Sequence, residues 1–259
     1  MRIISKYLKM ETNSHQFETH QFENHGDKAV AIILTGKLNA GKDTVADMLQ
    51  QEHGFTHRIA FADIVRSVTI EQWNFFSNIV SQALGSTSGV TWPLLSMDDC
   101  LGRNTKEVPL VLHLGDRQEI PLSFNGKPVT PRFLLQYNGS DICRKFMGPN
   151  VWVRAALEKI PQSARRIVFT DGRFPEELVG APETLRSAGF AVETWRIINP
   201  TEPLAATTVT HVSETAVDDI ATDRTIINDK SRGLNALSAN VREAVTSALG
   251  CSQITVKDT

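Results

Sequence analysis

The strongest constraint on this chain is an apolar run that ends abruptly in glycine. "KAVAIILTG" is apolar from Ala29 to Leu34 without alternation and stops at Gly36. A continuous run of this kind suits a strand buried on both faces, as in the middle of a parallel sheet. It is followed by "GKLNAGKDTVADMLQQEHG", in which Val45, Met48 and Leu49 recur at helical spacing before a stop at Gly54. Strand, glycine loop and helix form the context in which Gly-x-x-x-x-Gly-Lys binds phosphate. Successive loop amides make an anion nest at a helix N-terminus, and the lysine reaches the β- and γ-phosphates. Gly36, Gly41 and Lys42 match, with Leu38, Asn39 and Ala40 between them. One position departs from the pattern. Where a hydroxyl normally holds magnesium the residue is Asp43, and the threonine follows one step later at Thr44.

The alternation continues downstream. "FTHRIAFADIVRSV" predicts a short strand leading into a helix. From 71 to 129 the pattern is irregular, with "GSTSGVTWP", "MDDCLGRNTKEVP" and "LSFNGKPVTP", and reads as a helical and loop insertion without a core of its own. Helical spacing returns in "TPRFLLQYNGSDICRKF", with Thr130 as N-cap and Pro131 in the first turn, and breaks at Gly139 and Ser140. Residues 151–160 predict another helix. "RRIVFTDGRFPEE" is a strand stopping at Asp171, "ELVGAPETLRSAG" a helix and "FAVETWRIINP" a strand. The segment "DRTIINDKSRGLNALSANVREAVTSAL" reads as a short strand, a turn and a closing helix. Strands alternating with helices indicate an α/β fold on a parallel sheet. Residues 1–28 are polar, and His15, His20 and His25 recur every five residues, a spacing that does not stack them on one helix face. They are expected to form a disordered tail, leaving 29–259 as a single domain.

A net charge of -2 gives no reason to expect a nucleic-acid partner. No apolar run is long enough to cross a membrane, and the N-terminus lacks a secretion-signal core. Cys100, Cys143 and Cys251 are far apart and form no CxxC pair, which reads as a reduced cytoplasmic protein without a structural metal site. A small-molecule partner is expected, with no membrane and no nucleic acid; a homodimer is left open.

Several side chains are of the type phosphoryl chemistry needs. Asp171 ends a strand, and open α/β sheets bind ligands at the carboxyl ends of their strands. It suits magnesium or an acceptor phosphate. Arg173 suits a phosphate clamp, with a surface ion pair the alternative. Arg132 and Gln136 share a helix face, as a phosphate and a base edge require and as a solvated face also would. Trp152 reads as core, with base stacking the alternative. In "THVSE", His211, Ser213 and Glu214 are either functional or structural.

Together these segments resemble the deoxynucleoside monophosphate kinases encoded by tailed bacteriophages. The resemblance runs from about Ala29 to the last helix. It is carried in order by "GKLNAGKDTVADML", "PRFLLQYNGSD", "VWV", "TDGRFPEE", "THVSE" and "IINDKS". In that family Asp-Thr after the lysine is the usual form, so Asp43 looks like a variant with a role. The resemblance implies a P-loop kinase three-layer fold, with a central parallel sheet and a helical and loop acceptor-binding insertion at roughly 71–129. It implies ATP and Mg2+ as cofactors and phosphorylation of deoxynucleoside 5'-monophosphates to diphosphates in the cytoplasm. Lys42, Arg132, Asp171 and Arg173 would be catalytic. Gly36, Leu38, Asn39, Ala40, Gly41, Lys42, Asp43 and Thr44 would bind ATP, with Asn228 facing the adenine and Asp43 and Asp171 on the metal. Arg132, Gln136, Gly139, Ser140, Trp152, Asp171, Arg173 and Glu177 would surround the acceptor, with Arg103 and Lys106 of "GRNTKE" beside them. Phe133, where some relatives place a basic residue, and Gly172 within "TDGRF" depart from the pattern. Two other readings are a kinase acting on a hydroxymethylated base in DNA, which needs a basic groove with aromatic platforms, and a nucleotide-binding regulatory ATPase.

Overall fold

The computed structural model describes residues 29–88, 90–102, 104–114, 118–200 and 217–249. Arg103, His211, Ser213, Glu214, Cys251 and the expected tail 1–28 lie outside the described residues. The chain forms two compact units, one of Ala62–Trp152 and one combining, among described residues, 29–61 with 153–249.

The second of these begins with β1 (Val30–Thr35), buried at every position as its unbroken apolar run requires. α1 (Lys42–His53) follows and ends at Gly54, whose left-handed conformation lets its N–H donate to Leu49 O. β2 (His57–Ile59) is short. α2 (Phe61–Ser88) then carries the chain into the other unit.

That unit holds β3 (Val90–Thr91), α3 (Met97–Leu101), β4 (Val111–Leu114), β5 (Gln118–Pro121), β6 (Ser123–Phe124) and β7 (Lys127–Pro128). β3, β4 and β5 form an antiparallel sheet in that order, and β6 and β7 a separate hairpin. Asn125 and Gly126 join the hairpin with φ of 50° and 75°, the left-handed pair that a two-residue turn needs. α4 (Pro131–Gln136), a wide π-type turn (Tyr137–Arg144) and α5 (Lys145–Met147) then form one continuous helical rod. α6 (Val151–Leu157) begins in this unit.

The structure departs here from the irregular helical and loop segment expected at 71–129. α2 runs unbroken to Ser88, five strands are present, and Leu95, Cys100, Leu110 and Val129 form a buried cluster. Ile70, Trp73, Leu122, Phe133, Leu134 and Leu135 pack on that cluster. α2 was hidden because its apolar residues point in several directions and leave no single stripe. β5 is exposed along its whole length, so no inward alternation marks it. α6 also stops at Leu157 rather than 160, closing in turns before Pro161.

The chain returns with β8 (Arg166–Gly172), α7 (Ala181–Ser187), β9 (Ala191–Ile198), β10 (Arg224–Ile227) and α8 (Gly233–Leu249). Five strands make one sheet in the order β10-β9-β1-β8-β2, with every pairing parallel. Side chains alternate between its faces. On one face Val30, Ile32, Leu34, Val168, Trp195, Ile197 and Ile226 pack against Val45 and Leu49 of α1 and Leu237, Val241 and Val245 of α8. Each such aliphatic chain contributes about 1.5–3 kcal/mol on burial. On the other face Phe61 stacks on Phe169 at 5.1 Å, and Leu178 lies over Gly172 beside Ile33. This unit is therefore mixed α/β, a five-stranded parallel sheet flanked by helices. No helix among the described residues is long and apolar enough to cross a membrane.

The strand order sets where a ligand can enter. β1 feeds the β8–β2 side of the sheet, while β9 feeds β10 on the opposite side. The chain diverges between the carboxyl ends of β1 and β9, and open α/β sheets have their ligand crevice at such a point.

Candidate functional site

At that point the chain leaves β1 through Gly36. Its φ is 140°, and a Cβ there would stand 2.4 Å from the Ile197 carbonyl oxygen, so only glycine lets the loop lie this close to β9. Asn39 (φ 64°) and Gly41 (φ 100°) are also left-handed. Gly41 is the N-cap of α1 and offers no side chain to the helix. First-turn amides have no acceptor within their own helix, and they carry the positive end of its dipole. The Lys42 ammonium folds back over the loop and donates to Gly36 O at 2.8 Å and Lys37 O at 2.9 Å. Lys37 itself pairs with Asp218. Thr35 Oγ1 and Asn39 Oδ1 are buried without a hydrogen-bond partner among the described residues. The loop thus gathers amide dipoles, an ammonium and the unpaired Thr35 hydroxyl, groups that can donate to an anion.

The loop is braced from beneath. Asn228, 7% exposed, donates Nδ2 to Ala40 O at 2.8 Å, and its own N–H donates to Ile198 O at 2.7 Å. The resemblance placed this residue toward adenine; here its amide is committed to the loop backbone. Asp43 projects outward, its side chain 84% exposed and paired with Arg58. The same guanidinium holds Asp47 at 2.6 Å. Thr44 is half-buried in the first turn of α1.

Asp171 lies near the carboxyl end of β8, which runs one residue further to Gly172 than the sequence suggests. Asp171 is buried, and Oδ1 accepts the Phe61 N–H at 2.7 Å, fixing the start of α2. The departure at Gly172 has a steric cause. A Cβ there would meet Leu178 at 2.8 Å and Ile33 at 3.2 Å. Glu177 is 2% exposed and accepts the N–H groups of Arg173 (2.7 Å) and Phe174 (3.1 Å). Its carboxylate therefore pins the turn that carries Arg173.

The remaining expected residues are in the other unit. Thr130 caps α4, accepting from Phe133 N at 3.0 Å, with Pro131 in the first turn as its sequence position predicts. Arg132 donates Nε to Glu107, and Gln136 follows one turn along the same helix. Lys106 sits in the short turn Thr105–Glu107. The helical pattern does not break at Gly139 and Ser140, which lie inside the π-type turn. Trp152 is 3% exposed and donates Nε1 to Gly139 O at 2.8 Å, an interior position that holds this wide turn. A Cβ on Gly139 would be 3.0 Å from Val65 Cγ1. Phe133 stacks on Tyr137 at 5.7 Å, with Phe124 against both rings.

Arg58, Glu107 and the bracing role of Asn228 were not foreseen, because each depends on a partner far away in sequence. Burial, with Asp99 adding to it and Arg66 opposing, pushes the Cys100 thiol up to about 11. Burial also raises Cys143. Both thiols are neutral at physiological pH and unsuited to nucleophilic work. Among the described residues no cluster of three or more His, Cys, Asp or Glu could hold a metal unaided.

The fold and site define an α/β protein with a glycine loop at the switch point of a parallel sheet. Comparison of the chain with protein-family models and with curated proteins returned no match.

Proposed function

We propose that this chain is a P-loop kinase that transfers the γ-phosphoryl group of ATP to a deoxynucleoside 5'-monophosphate, in the manner of the phage enzymes its motifs resemble. In this reading the sheet unit is a three-layer P-loop kinase fold, and the product diphosphates are precursors for DNA synthesis in the cytoplasm. The observation that carries it is the loop from Gly36 to Lys42. It joins a central strand to a helix at the switch point, two glycines stand where no Cβ fits, and a lysine ammonium lies over the loop.

These residues fit a nucleotide phosphate chain. Loop amides accept anions without side-chain rearrangement, and Lys42 has two carbonyl contacts to exchange for phosphate oxygens. The donor set also fits magnesium, which takes one or two carboxylates together with substrate phosphates rather than a full protein cage. Asp43 and Asp171 would supply those carboxylates, with Thr44 toward the nucleotide phosphates. Bound magnesium neutralises phosphate charge. Lys42 holds the β/γ oxygens, and Glu177 sets the turn from which Arg173 reaches a phosphate. The resemblance assigns the acceptor to Arg103, Lys106, Arg132, Gln136, Gly139 and Ser140. Arg132 is suited to the task because a planar guanidinium can grip two phosphate oxygens at once.

The test is a panel of deoxynucleoside monophosphates incubated with ATP and magnesium, with diphosphate product scored. Diphosphate from at least one of dGMP, dTMP or a dCMP derivative supports the reading. ATP binding with no diphosphate from any monophosphate contradicts it.

A further inference from the structure

Trp152, the ring that the resemblance sets beside the acceptor, is 3% exposed and committed to Gly139 O. It has no face to offer a base. Other rings stand on the helical rod that carries Arg132 and Gln136. Phe133 and Tyr137 are one turn apart on it, and their rings lie 5.7 Å apart with only 9° between their planes. Phe124 of β6 leans on both, at 5.9 and 5.8 Å. Successive helical positions differ by about 100°, so this ring face adjoins the face of Arg132 and Gln136.

The three rings do not bury one another. Phe133 packs inward on the cluster of Leu95 and Val129, yet Phe124 remains 45% and Tyr137 37% exposed. The hairpin that brings Phe124 is exposed at all its strand positions. Lys127 stands directly opposite Phe124 in that hairpin, and opposed residues share a face, so an ammonium accompanies the ring. Phe75, Phe76 and Phe146, the other exposed aromatics among the described residues, lie on α2 and α5 instead.

Flat, open rings flanked by cations suit a planar heteroaromatic ligand that carries negative charge. Any nucleobase has a π-face to stack on such rings, and a guanidinium grips phosphate oxygens. Arg132 is held by Glu107 in a half-exposed pair, a weak kind of contact that a phosphate can replace. One guanidinium serves one phosphate, whereas a nucleic-acid strand calls for a row of cations.

We propose that Phe124, Phe133 and Tyr137 form a stacking platform for the base of a nucleoside monophosphate whose phosphate Arg132 holds. The identity of this ligand as the acceptor rests on the kinase reading; the platform adds what holds its base. Phe133, where some relatives place a basic residue, then exchanges a charge for a ring.

Tyr137→Trp sets an indole in the platform and reports on it without any turnover. Its fluorescence should be quenched by dGMP and dTMP beyond the response of the wild type with its four tryptophans. Deoxyribose 5-phosphate, which has the phosphate and no base, should not quench it. Absence of quenching by both nucleotides, equal quenching by the sugar phosphate, or tighter binding of oligothymidylate than of dTMP overturns the proposal. Steady-state transfer from ATP gives the second readout. Tyr137→Leu keeps the apolar bulk without a π-face, and Phe124→Ala removes a ring from an exposed hairpin. Each, shown folded by circular dichroism, should raise KM for the monophosphate about tenfold and leave kcat and the KM for ATP near wild type, the mark of lost binding rather than lost chemistry. A wild-type KM in Phe124→Ala or in folded Tyr137→Leu overturns the platform and leaves the kinase reading intact. Quenching by nucleotide with no diphosphate formed supports the platform and contradicts the kinase reading.

Discussion

One guanidinium, that of Arg58, donates to Asp43 and Asp47 together. Asp43 is the residue that makes the loop unusual, and its carboxylate is paired with Arg58 on the exposed side of α1. For Asp43 to serve a metal it must leave Arg58. The pair is largely solvated, with side-chain exposures of 31% and 84%, and exposed pairs of this type contribute at most about 1 kcal/mol. The exchange is therefore easily reversed. Arg58→Ala should leave thermal stability nearly unchanged and lower the magnesium needed for half-maximal rate. Asp43→Asn should raise that requirement and slow turnover about a hundredfold, or ~2.7 kcal/mol of barrier. Wild-type turnover and unchanged magnesium dependence in Asp43→Asn would show that Asp43 only complements the helix dipole.

Asn228 to Ala40 is the contact that ties the last strand to the loop. Asn228→Asp is isosteric but sets a carboxylate against a carbonyl oxygen. The loss of a buried hydrogen bond and the new repulsion should destabilise the fold by about 1–3 kcal/mol. The variant should also weaken ATP binding, measured by calorimetry on protein shown to be folded. Unchanged stability would mean that the loop does not depend on this brace.

The first part of this architecture was legible in the sequence because each signal is local. An apolar run, a glycine and a helical spacing identify β1, the loop and α1 without any distant partner. Thr130 and Pro131 mark the start of α4 in the same way. The second half of α2 was not legible, since Phe75 and Ile79 face away from Trp73 and Ser77 while Phe76 lies to one side against Trp92, and together they blur the period. The π-type turn at Gly139 has no local signature; it is held by Trp152, thirteen residues later. The resemblance sets Asn228 toward the adenine; its bond to Ala40, 188 residues away, has no local signature.

Gly172 illustrates a departure from a motif that only packing explains. Gly172→Ala would press a methyl group against Leu178 Cδ2 and Ile33 Cγ2, and overpacking of this kind typically costs about 1–3 kcal/mol. A lowered melting temperature is expected, with ATP affinity of the folded protein retained. A melting temperature equal to wild type would mean that the space above β8 is larger than the structure shows.

His53 gives the fold a pH dependence. Burial is the main cause that lowers its pKa from the ordinary 6.5; Arg242 and Arg166 act in the same direction, and Glu52 opposes them. The folded state therefore resists protonation more than the unfolded chain does. Its stabilising contribution is present above about pH 6.5 and is lost as pH falls through the lower folded value. Denaturant melts of the wild type should weaken on acidification below that point, and His53→Gln should weaken less. Equal acid sensitivity of the two proteins would assign the effect to other groups.

The central claim is that Lys42 and its loop hold a triphosphate whose γ-phosphoryl group leaves for a nucleoside monophosphate. Transfer of label from γ-labelled ATP to dGMP, dTMP and dCMP, followed in parallel for wild type and Lys42→Ala, tests it most directly. The account predicts labelled diphosphate from the wild type and at least a hundredfold less from folded Lys42→Ala, a difference of about 2.7 kcal/mol in the barrier. Equal transfer by the two proteins, or labelled inorganic phosphate as the sole product of the wild type, would contradict it.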